Sequence, residues 1–168
     1  MRQYDLSKLT VLVVEKHLPM RTMFREVLSQ LGVGTILTAA SPEAGFEEFN
    51  ETTPDLMLVD WAPDFGGLAL VRDIRTHEDS VFPQVPVIMI TAFTETNHIY
   101  EALDAGMTEY LAKPVSARLL YQRIVSVIEN NRLFIRVNGF SGPDRRRKRR
   151  YVNGGEDRRR ETGRANAA

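Results

Sequence analysis

Short apolar segments alternate with amphipathic segments between residues 9 and 131. Five segments are apolar over several consecutive positions and are predicted to be strands: residues 10–14, 35–39, 56–59, 85–91 and 110–112. Apolar strands without a polar alternation are typical of a parallel sheet that is covered by helices on both faces.

The amphipathic segments predict five helices that alternate with these strands. Apolar side chains from Met20 to Leu31 recur at helical spacing, and Gly32 marks the end of the first helix. Ser41 followed by Pro42 is typical of a helix start and predicts the second helix. The pattern therefore predicts an α/β fold made of five βα units.

Composition and the lack of long apolar runs narrow the class of protein. The chain has 168 residues, of which 43% are apolar and 26% are charged, as in ordinary soluble proteins. Its apolar runs are too short to span a bilayer, and its first residues do not form a signal peptide. It contains no cysteine, which excludes disulfides and thiolate metal sites. We expect a cytoplasmic protein without a membrane segment.

Charge is segregated along the chain. Residues 141–168 contain ten lysines and arginines against four acids, a net charge of +6, so the neutral chain carries −6 before residue 141. This composition predicts a basic, disordered tail over 141–168. The more apolar residues 133–140 are expected to dock on the domain or on a partner, and residues 1–132 are expected to form the folded domain.

Polar residues stand at the ends of four predicted strands. Glu15 and Lys16 follow the first strand, Asp60 follows the third, Thr91 ends the fourth and Lys113 follows the fifth. The carboxyl ends of parallel strands meet at one edge of a sheet, where ligands bind. A carboxylate acceptor, cations and a hydroxyl are suited to holding a phosphoryl group.

Several motifs in this order resemble the receiver domain of two-component response regulators, including the single-domain chemotaxis regulators. The resemblance covers about residues 8–131 and is carried by residues 11–15 (VLVVE), 55–61 (DLMLVDW), 87–92 (VIMITA), 104–106 (DAG) and 110–114 (YLAKP). It implies a flavodoxin-like (βα)5 fold, a doubly wound parallel sheet with strand order 2-1-3-4-5.

The resemblance also implies the roles of individual residues. Asp60 would accept a phosphoryl group from a histidine kinase or phosphotransfer protein, and Lys113 would contact the phosphoryl oxygens. Thr91 would bond the phosphorylated form, and Tyr110 occupies the aromatic switch position. A Mg²⁺ ion would be held by Glu15, Asp60 and the backbone carbonyl of Ala62. The implied output is a protein contact on the face formed by the fourth helix, fifth strand and fifth helix.

The sequence departs from the receiver pattern at two places. Lys16 stands where the family has the acid that ligates Mg²⁺ directly, and the loop after Asp60 is one residue shorter than usual. Lys16 either turns towards solvent, leaving Asp64 or water to complete a weakened metal site, or pairs with Asp60 in place of the metal. Magnesium binding is expected to be weak or absent.

Three functional hypotheses follow. The leading one is a non-enzymatic switch that is controlled by phosphorylation of Asp60. The alternative is a pseudo-receiver, an interaction module whose phosphorylation site is weakened or lost because of Lys16. Enzymes of other α/β classes fit less well: a haloacid-dehalogenase-type phosphatase would need an aspartate where Ala62 stands, and the loop after the first strand lacks the hydroxyl groups and glycines of a flavodoxin.

Two arginine clusters repeat within the basic tail. They are candidates for binding an anionic partner and comprise Arg145, Arg146, Arg147, Arg158, Arg159 and Arg160. Nucleic acid is the weaker candidate partner because the tail has no interleaved aromatic residues beyond Tyr151 and no recognised DNA-binding motif. The other hypothesis is that the tail is only loosely attracted to the acidic residues 1–140.

Overall fold

The computed structural model describes residues 4–93, 95–130, 133–137 and 139–144. The strands within these ranges are β1 (Thr10–Val14), β2 (Thr35–Ala39), β3 (Leu56–Trp61), β4 (Val87–Thr91), β5 (Glu109–Ala112), β6 (Phe134–Val137) and β7 (Phe140–Pro143). The helices are α1 (Leu18–Gln30), α2 (Pro42–Thr52), α3 (Gly67–Thr76), α4 (Thr96–Ala105) and α5 (Ala117–Glu129). The five predicted βα units are therefore confirmed.

The first five strands form one parallel sheet in the order β2-β1-β3-β4-β5. The chain runs outwards from β1 to β2 and then crosses back to β3, so the strand order reverses between β1 and β3. This is the predicted flavodoxin-like topology. The reversal point places the residues that follow β1 and β3 side by side at the carboxyl edge of the sheet.

Apolar side chains of the sheet alternate between two cores. Leu12 and Val14 of β1 pack with apolar residues of α2, α3 and α4. Val11 and Val13 face the opposite side and pack with apolar residues of α1 and α5. No helix in the described part of the chain is long and apolar enough to cross a membrane.

Strand ends differ from the predicted bounds by up to two residues. β4 begins at Val87 rather than residue 85, because the amide of Val85 bonds to the carbonyl of Phe82 in a turn and Pro86 has no N–H to donate. β3 continues to Trp61, which pairs with Thr91. Asp60 consequently lies inside a strand that is buried along its whole length.

A β-hairpin replaces part of the predicted tail. β6 and β7 pair antiparallel, so residues 141–143 belong to a strand and the predicted boundary at residue 141 is wrong. The hydroxyl of Ser141 donates a hydrogen bond to the backbone oxygen of Arg75 at 3.0 Å, which fixes β7 at the end of α3. The arginine clusters of the tail lie outside the described residues.

The hairpin covers a buried arginine. Arg75 is 1% exposed and donates to the carbonyls of Gly106, at 3.0 Å, and Pro83, at 2.7 Å. Its guanidinium carbon lies 5.5 Å from the ring centre of Phe134 in β6. Burial lowers the pKa of Arg75 to about 10. This contact lies where α3 ends, at the opposite end of that helix from the Asp60 loop.

Candidate functional site

Asp60 lies near the carboxyl end of the central strand β3 and is 3% exposed. Gly67, the first residue of α3, packs directly against its backbone, since a Cβ at position 67 would lie 2.1 Å from the carbonyl oxygen of Asp60. In the sequence, the pair Gly66-Gly67 is typical only of a turn. Gly67 in fact allows α3 to begin against the strand that carries the candidate acceptor.

Lys113 connects the two buried carboxylates of the site. Its Nζ atom lies 2.6 Å from Oδ1 of Asp60 and 3.1 Å from Oε2 of Glu15. The contact with Asp60 is an ion pair without hydrogen-bond alignment, and Oδ1 accepts no hydrogen bond within the described residues. The Lys113-Pro114 peptide bond is cis. Three of the predicted site residues are thus brought into contact.

Burial and ion pairing act in opposite directions on these ionisable groups. Burial raises the pKa of Asp60, and the ion pair with Lys113 only partly offsets this effect. Burial also acts to raise the pKa of Glu15, but hydrogen bonds from His17 and Lys113 outweigh it and the pKa is lowered. Burial acts to lower the pKa of Lys113, whereas its contacts with Asp60 and Glu15 raise it overall. Lys113 is therefore held as a cation between two carboxylates.

His17, in the loop after β1, belongs to the site. Its backbone amide and its ring Nδ1 lie 2.9 and 2.8 Å from Oε1 of Glu15. Arg21, one turn into α1, donates to the backbone oxygens of Glu15 and Lys16, both at 2.7 Å. The loop after β1 is therefore fixed by side chains on both sides. No pattern in the sequence indicated these roles of Arg21 and His17.

Lys16 pairs with Asp64 rather than with Asp60. Its Nζ atom lies 2.5 Å from Oδ2 of Asp64, and the side chain of Lys16 is 35% exposed. Asp64 lies in the loop between β3 and α3, so the pair links the loops that follow β1 and β3. This arrangement agrees with the hypothesis in which Lys16 turns outwards, but Asp64 is occupied by the lysine.

The oxygen atoms of Glu15 and Ala62 that are expected to hold a divalent cation already have hydrogen-bond partners in the protein. Oε1 of Glu15 contacts His17, and its Oε2 accepts from Lys113. The carbonyl of Ala62 accepts a hydrogen bond from the amide of Phe65 at 3.0 Å. No group of three histidine or acidic side chains suited to a metal ion occurs among the described residues. This donor set does not fit a divalent metal ion, which prefers several free oxygen ligands.

Thr91 and Tyr110 occupy the neighbouring strands. Thr91 is 2% exposed at the end of β4, and its hydroxyl oxygen accepts a hydrogen bond from the amide of Phe93 at 2.9 Å. Tyr110 lies in β5, partly buried, with the guanidinium carbon of Arg123 5.8 Å from its ring centre. The hydroxyl of Thr91 therefore already contributes to the backbone geometry of the loop after β4.

An aromatic cluster lies next to Asp60 and was not predicted. The ring of Trp61 lies 5.2 Å from that of His98 and 6.3 Å from that of Phe93. Trp61 and Phe65 are 6% and 7% exposed, so both anchor the loop. The indole consequently reports on the loop between β3 and α3.

Sequence comparison finds similarity to a signalling domain. The profile of the response regulator receiver domain matches residues 11–125. Chemotaxis protein CheY1 of Helicobacter pylori is 32% identical over 123 residues, which cover 72% of this chain and 98% of that protein. Transcriptional regulatory protein CitT of Bacillus subtilis is 35% identical over 127 residues, which cover 74% of this chain and 54% of that protein. The chain thus spans about half the length of some curated relatives.

Solved structures show the same fold. Vibrio cholerae chemotaxis protein CheY4 matches with a TM-score of 0.64 at 24% identity, over 71% of this chain and 98% of that chain. The receiver domain of Francisella response regulator 1452 matches with a TM-score of 0.65 at 22% identity, over 74% of this chain and 100% of that chain. At these identities the likeness concerns the fold.

Proposed function

This chain belongs to the response regulator receiver family, and from that premise we propose that it is a switch controlled by phosphorylation of Asp60. Receiver domains act in two-component systems, where they interact with histidine kinases and downstream effectors. The observation that supports Asp60 as the acceptor is its burial at the carboxyl end of β3 with the ammonium group of Lys113 2.6 Å away.

The proposed reaction is a phosphoryl transfer from a phosphohistidine of a kinase or phosphotransfer protein. A carboxylate oxygen of Asp60 attacks the phosphorus atom, the P–O bond forms, and the P–N bond to the donor imidazole breaks. The imidazole nitrogen takes a proton from solvent. Lys113 stabilises the negative charge on the transferred phosphoryl group. Once the loop that follows β4 has rearranged, the hydroxyl of Thr91 donates a hydrogen bond to the same group.

The proposed output is a protein contact and involves no catalytic turnover of a further substrate. Movement of Thr91 would alter its hydrogen bond with the amide of Phe93. This change would shift the equilibrium between two conformations of the surface formed by α4, β5 and α5. Tyr100 of α4 is 60% exposed and Leu119 of α5 is 42% exposed on these helices. Exposed large apolar side chains of this kind are suited to a protein partner.

A second candidate function is a pseudo-receiver that binds partners without phosphorylation. Lys16 favours this candidate, because it stands in place of a metal-binding acid and neutralises Asp64. A receiver that cannot hold a metal ion would lose phosphorylation if the reaction depended on that ion.

Mass spectrometry after incubation with a small phosphodonor tests both candidates. We expect an adduct of about 80 Da on the wild-type chain that maps to Asp60. Asp60→Asn should abolish the adduct, whereas Asp79→Asn, a change at an exposed aspartate, should leave it intact. An adduct that persists in Asp60→Asn would contradict the assignment of the acceptor. An unlabelled wild-type chain, with or without Mg²⁺, would favour the pseudo-receiver.

A further inference from the structure

We propose that Lys16 is a second phosphoryl-binding cation that takes the place of a divalent metal ion and rests on Asp64 until Asp60 is phosphorylated. This inference rests on the proposed function of Asp60. It adds two roles to that function: Lys16 substitutes for the metal ion, and Asp64 holds Lys16 before phosphorylation.

The position of Lys16 is suited to this role. The guanidinium group of Arg21 donates a hydrogen bond of 2.7 Å to the backbone oxygen of Lys16. The backbone of Lys16 is therefore held where β1 ends beside β3. The side chain beyond this point is a flexible stem with a compact positive charge. Lys16 is therefore fixed at its backbone and free to redirect its ammonium group.

The contact with Asp64 is a resting contact that can be exchanged. The side chain of Asp64 is 70% exposed, and ion pairs in such surroundings contribute little to stability because water screens them. An oxyanion that carries more charge than a carboxylate attracts the same ammonium group more strongly. Lys16 can consequently leave Asp64 for a phosphoryl group at little cost to the fold.

The charges of the site require such a second cation. Before phosphorylation, Lys113 lies between the carboxylates of Asp60 and Glu15, and Lys16 lies on Asp64. Conversion of the Asp60 carboxylate to an aspartyl phosphate adds negative charge, while Lys113 continues to contact Glu15. The expected oxygen ligands of a metal are engaged by His17, Lys113 and Phe65. The redirected Lys16 then supplies the missing positive charge.

Labelling with phosphoramidate in excess EDTA or in saturating Mg²⁺ tests this role. The carboxylate of Asp60 attacks phosphorus, the P–N bond breaks, and the nitrogen leaves as ammonia, so no further co-reactant is needed. We expect the wild-type rate to be the same in both conditions. Lys16→Met should lower the rate about tenfold or more in EDTA, the factor expected from loss of one charge-assisted hydrogen bond. Lys8→Met, at an exposed lysine near the N-terminus, is the matched control and should leave the rate unchanged.

Two further variants separate the resting contact from the metal substitute. Lys16→Asp should label only with Mg²⁺, and Mg²⁺ should change its Trp61 fluorescence but not that of the wild type. Asp64→Asn should label in EDTA at least as fast as the wild type, because the ammonium group loses its resting partner. A loss of labelling in Asp64→Asn would overturn the resting role of Asp64.

The outcomes distinguish this proposal from the proposed function. Wild-type labelling that requires Mg²⁺, or Lys16→Met labelling at the wild-type rate, would overturn the role of Lys16 and leave Asp60 as the acceptor. Labelling of Lys16→Asp without labelling of the wild type would show that Lys16 blocks the site. If neither protein is labelled in either condition, the proposed function fails and the role of Lys16 fails with it.

Discussion

Gly142 of the C-terminal hairpin and Gly106 at the end of α4 pack backbone against backbone. A Cβ built on Gly142 would lie 2.9 Å from the Cα of Gly106, and one built on Gly106 would lie 2.7 Å from the carbonyl oxygen of Ser141. Neither position has room for a side chain. The hairpin is therefore fitted to the domain by two glycines that lie far apart in the sequence.

Replacement of Gly106 by alanine should weaken this contact. Gly106 and Gly139 both have a positive φ, of 98° and 80°, so Gly106→Ala and Gly139→Ala share a backbone penalty of about 1 kcal/mol. Only Gly106→Ala also meets backbone atoms of the hairpin, since nothing lies within 4 Å of a Cβ at position 139. We expect it to be less stable than Gly139→Ala by about 1–3 kcal/mol in urea unfolding. Equal losses would contradict the close packing.

Truncation should separate the hairpin from the arginine clusters. A chain ending at Asp144 keeps every contact of β6 and β7 described above, so its free energy of unfolding should stay within about 0.5 kcal/mol of the full chain. A chain ending at Asn130 loses the bond from Ser141 to Arg75 and should be destabilised by about 1–3 kcal/mol. Equal stability of all three chains in urea unfolding would show that the hairpin does not stabilise the domain.

The same pair of chains tests the basic tail. If the arginine clusters bind an anionic partner, the full chain should bind it more tightly than the chain ending at Asp144, and the difference should fall steeply with salt. Binding can be measured by fluorescence anisotropy at two salt concentrations, with a labelled acidic peptide and a labelled oligonucleotide as probes. Identical affinities of the two chains for both probes would rule out a contribution from the tail.

Asp60→Asn should raise stability at neutral pH. Burial raises the pKa of the Asp60 carboxyl group in the folded state. The stability that this group contributes is therefore fully present below its pKa in the unfolded chain, and it is lost as the pH rises through its pKa in the folded chain. At neutral pH the wild type therefore carries a buried charge that asparagine lacks. We expect a higher melting temperature for Asp60→Asn at pH 7 and a shrinking difference in acid. Asp79→Asn serves as the exposed control, and a similar rise there would contradict burial as the cause.

Gly67→Ala should lower both the stability of the fold and the rate at which Asp60 is labelled. The added methyl group would overlap the carbonyl oxygen of Asp60, so α3 must shift away from β3. We expect a loss of about 1–3 kcal/mol in urea unfolding together with slower labelling of Asp60. Gly32→Ala is the control, because a Cβ there has open space and only its positive φ of 84° is strained. Labelling at the wild-type rate in Gly67→Ala would show that this contact does not position Asp60.

The sheet and the meeting of the site residues could be predicted because both follow from local pattern. Continuous apolar strands and amphipathic helices set the βα order, and a parallel sheet necessarily gathers residues such as Asp60 and Lys113 at one edge. These features depend on spacing along the chain rather than on the details of contacts. The family resemblance then fixed the strand order.

The contacts of Lys16 and Ser141 could not be predicted, because they depend on tertiary structure. Whether Lys16 meets Asp64 or Asp60 depends on the path of two loops and on a flexible side chain, and no periodicity encodes either. Ser141-Gly142-Pro143 has the composition of a turn, yet it forms a strand because Phe134–Val137 pairs with it and Gly106 leaves space. Pairing partners and available space are properties of the folded chain.

The two hydrogen bonds from Arg21 to the backbone of Glu15 and Lys16 have a consequence for mutation and selection. They hold the main chain through carbonyl groups, which every amino acid possesses, so a substitution at position 16 leaves them available. Side-chain identity there is consequently uncoupled from the loop's architecture. During evolution, a single amino-acid replacement at position 16 can therefore change the charge of the site without changing the conformation of the loop.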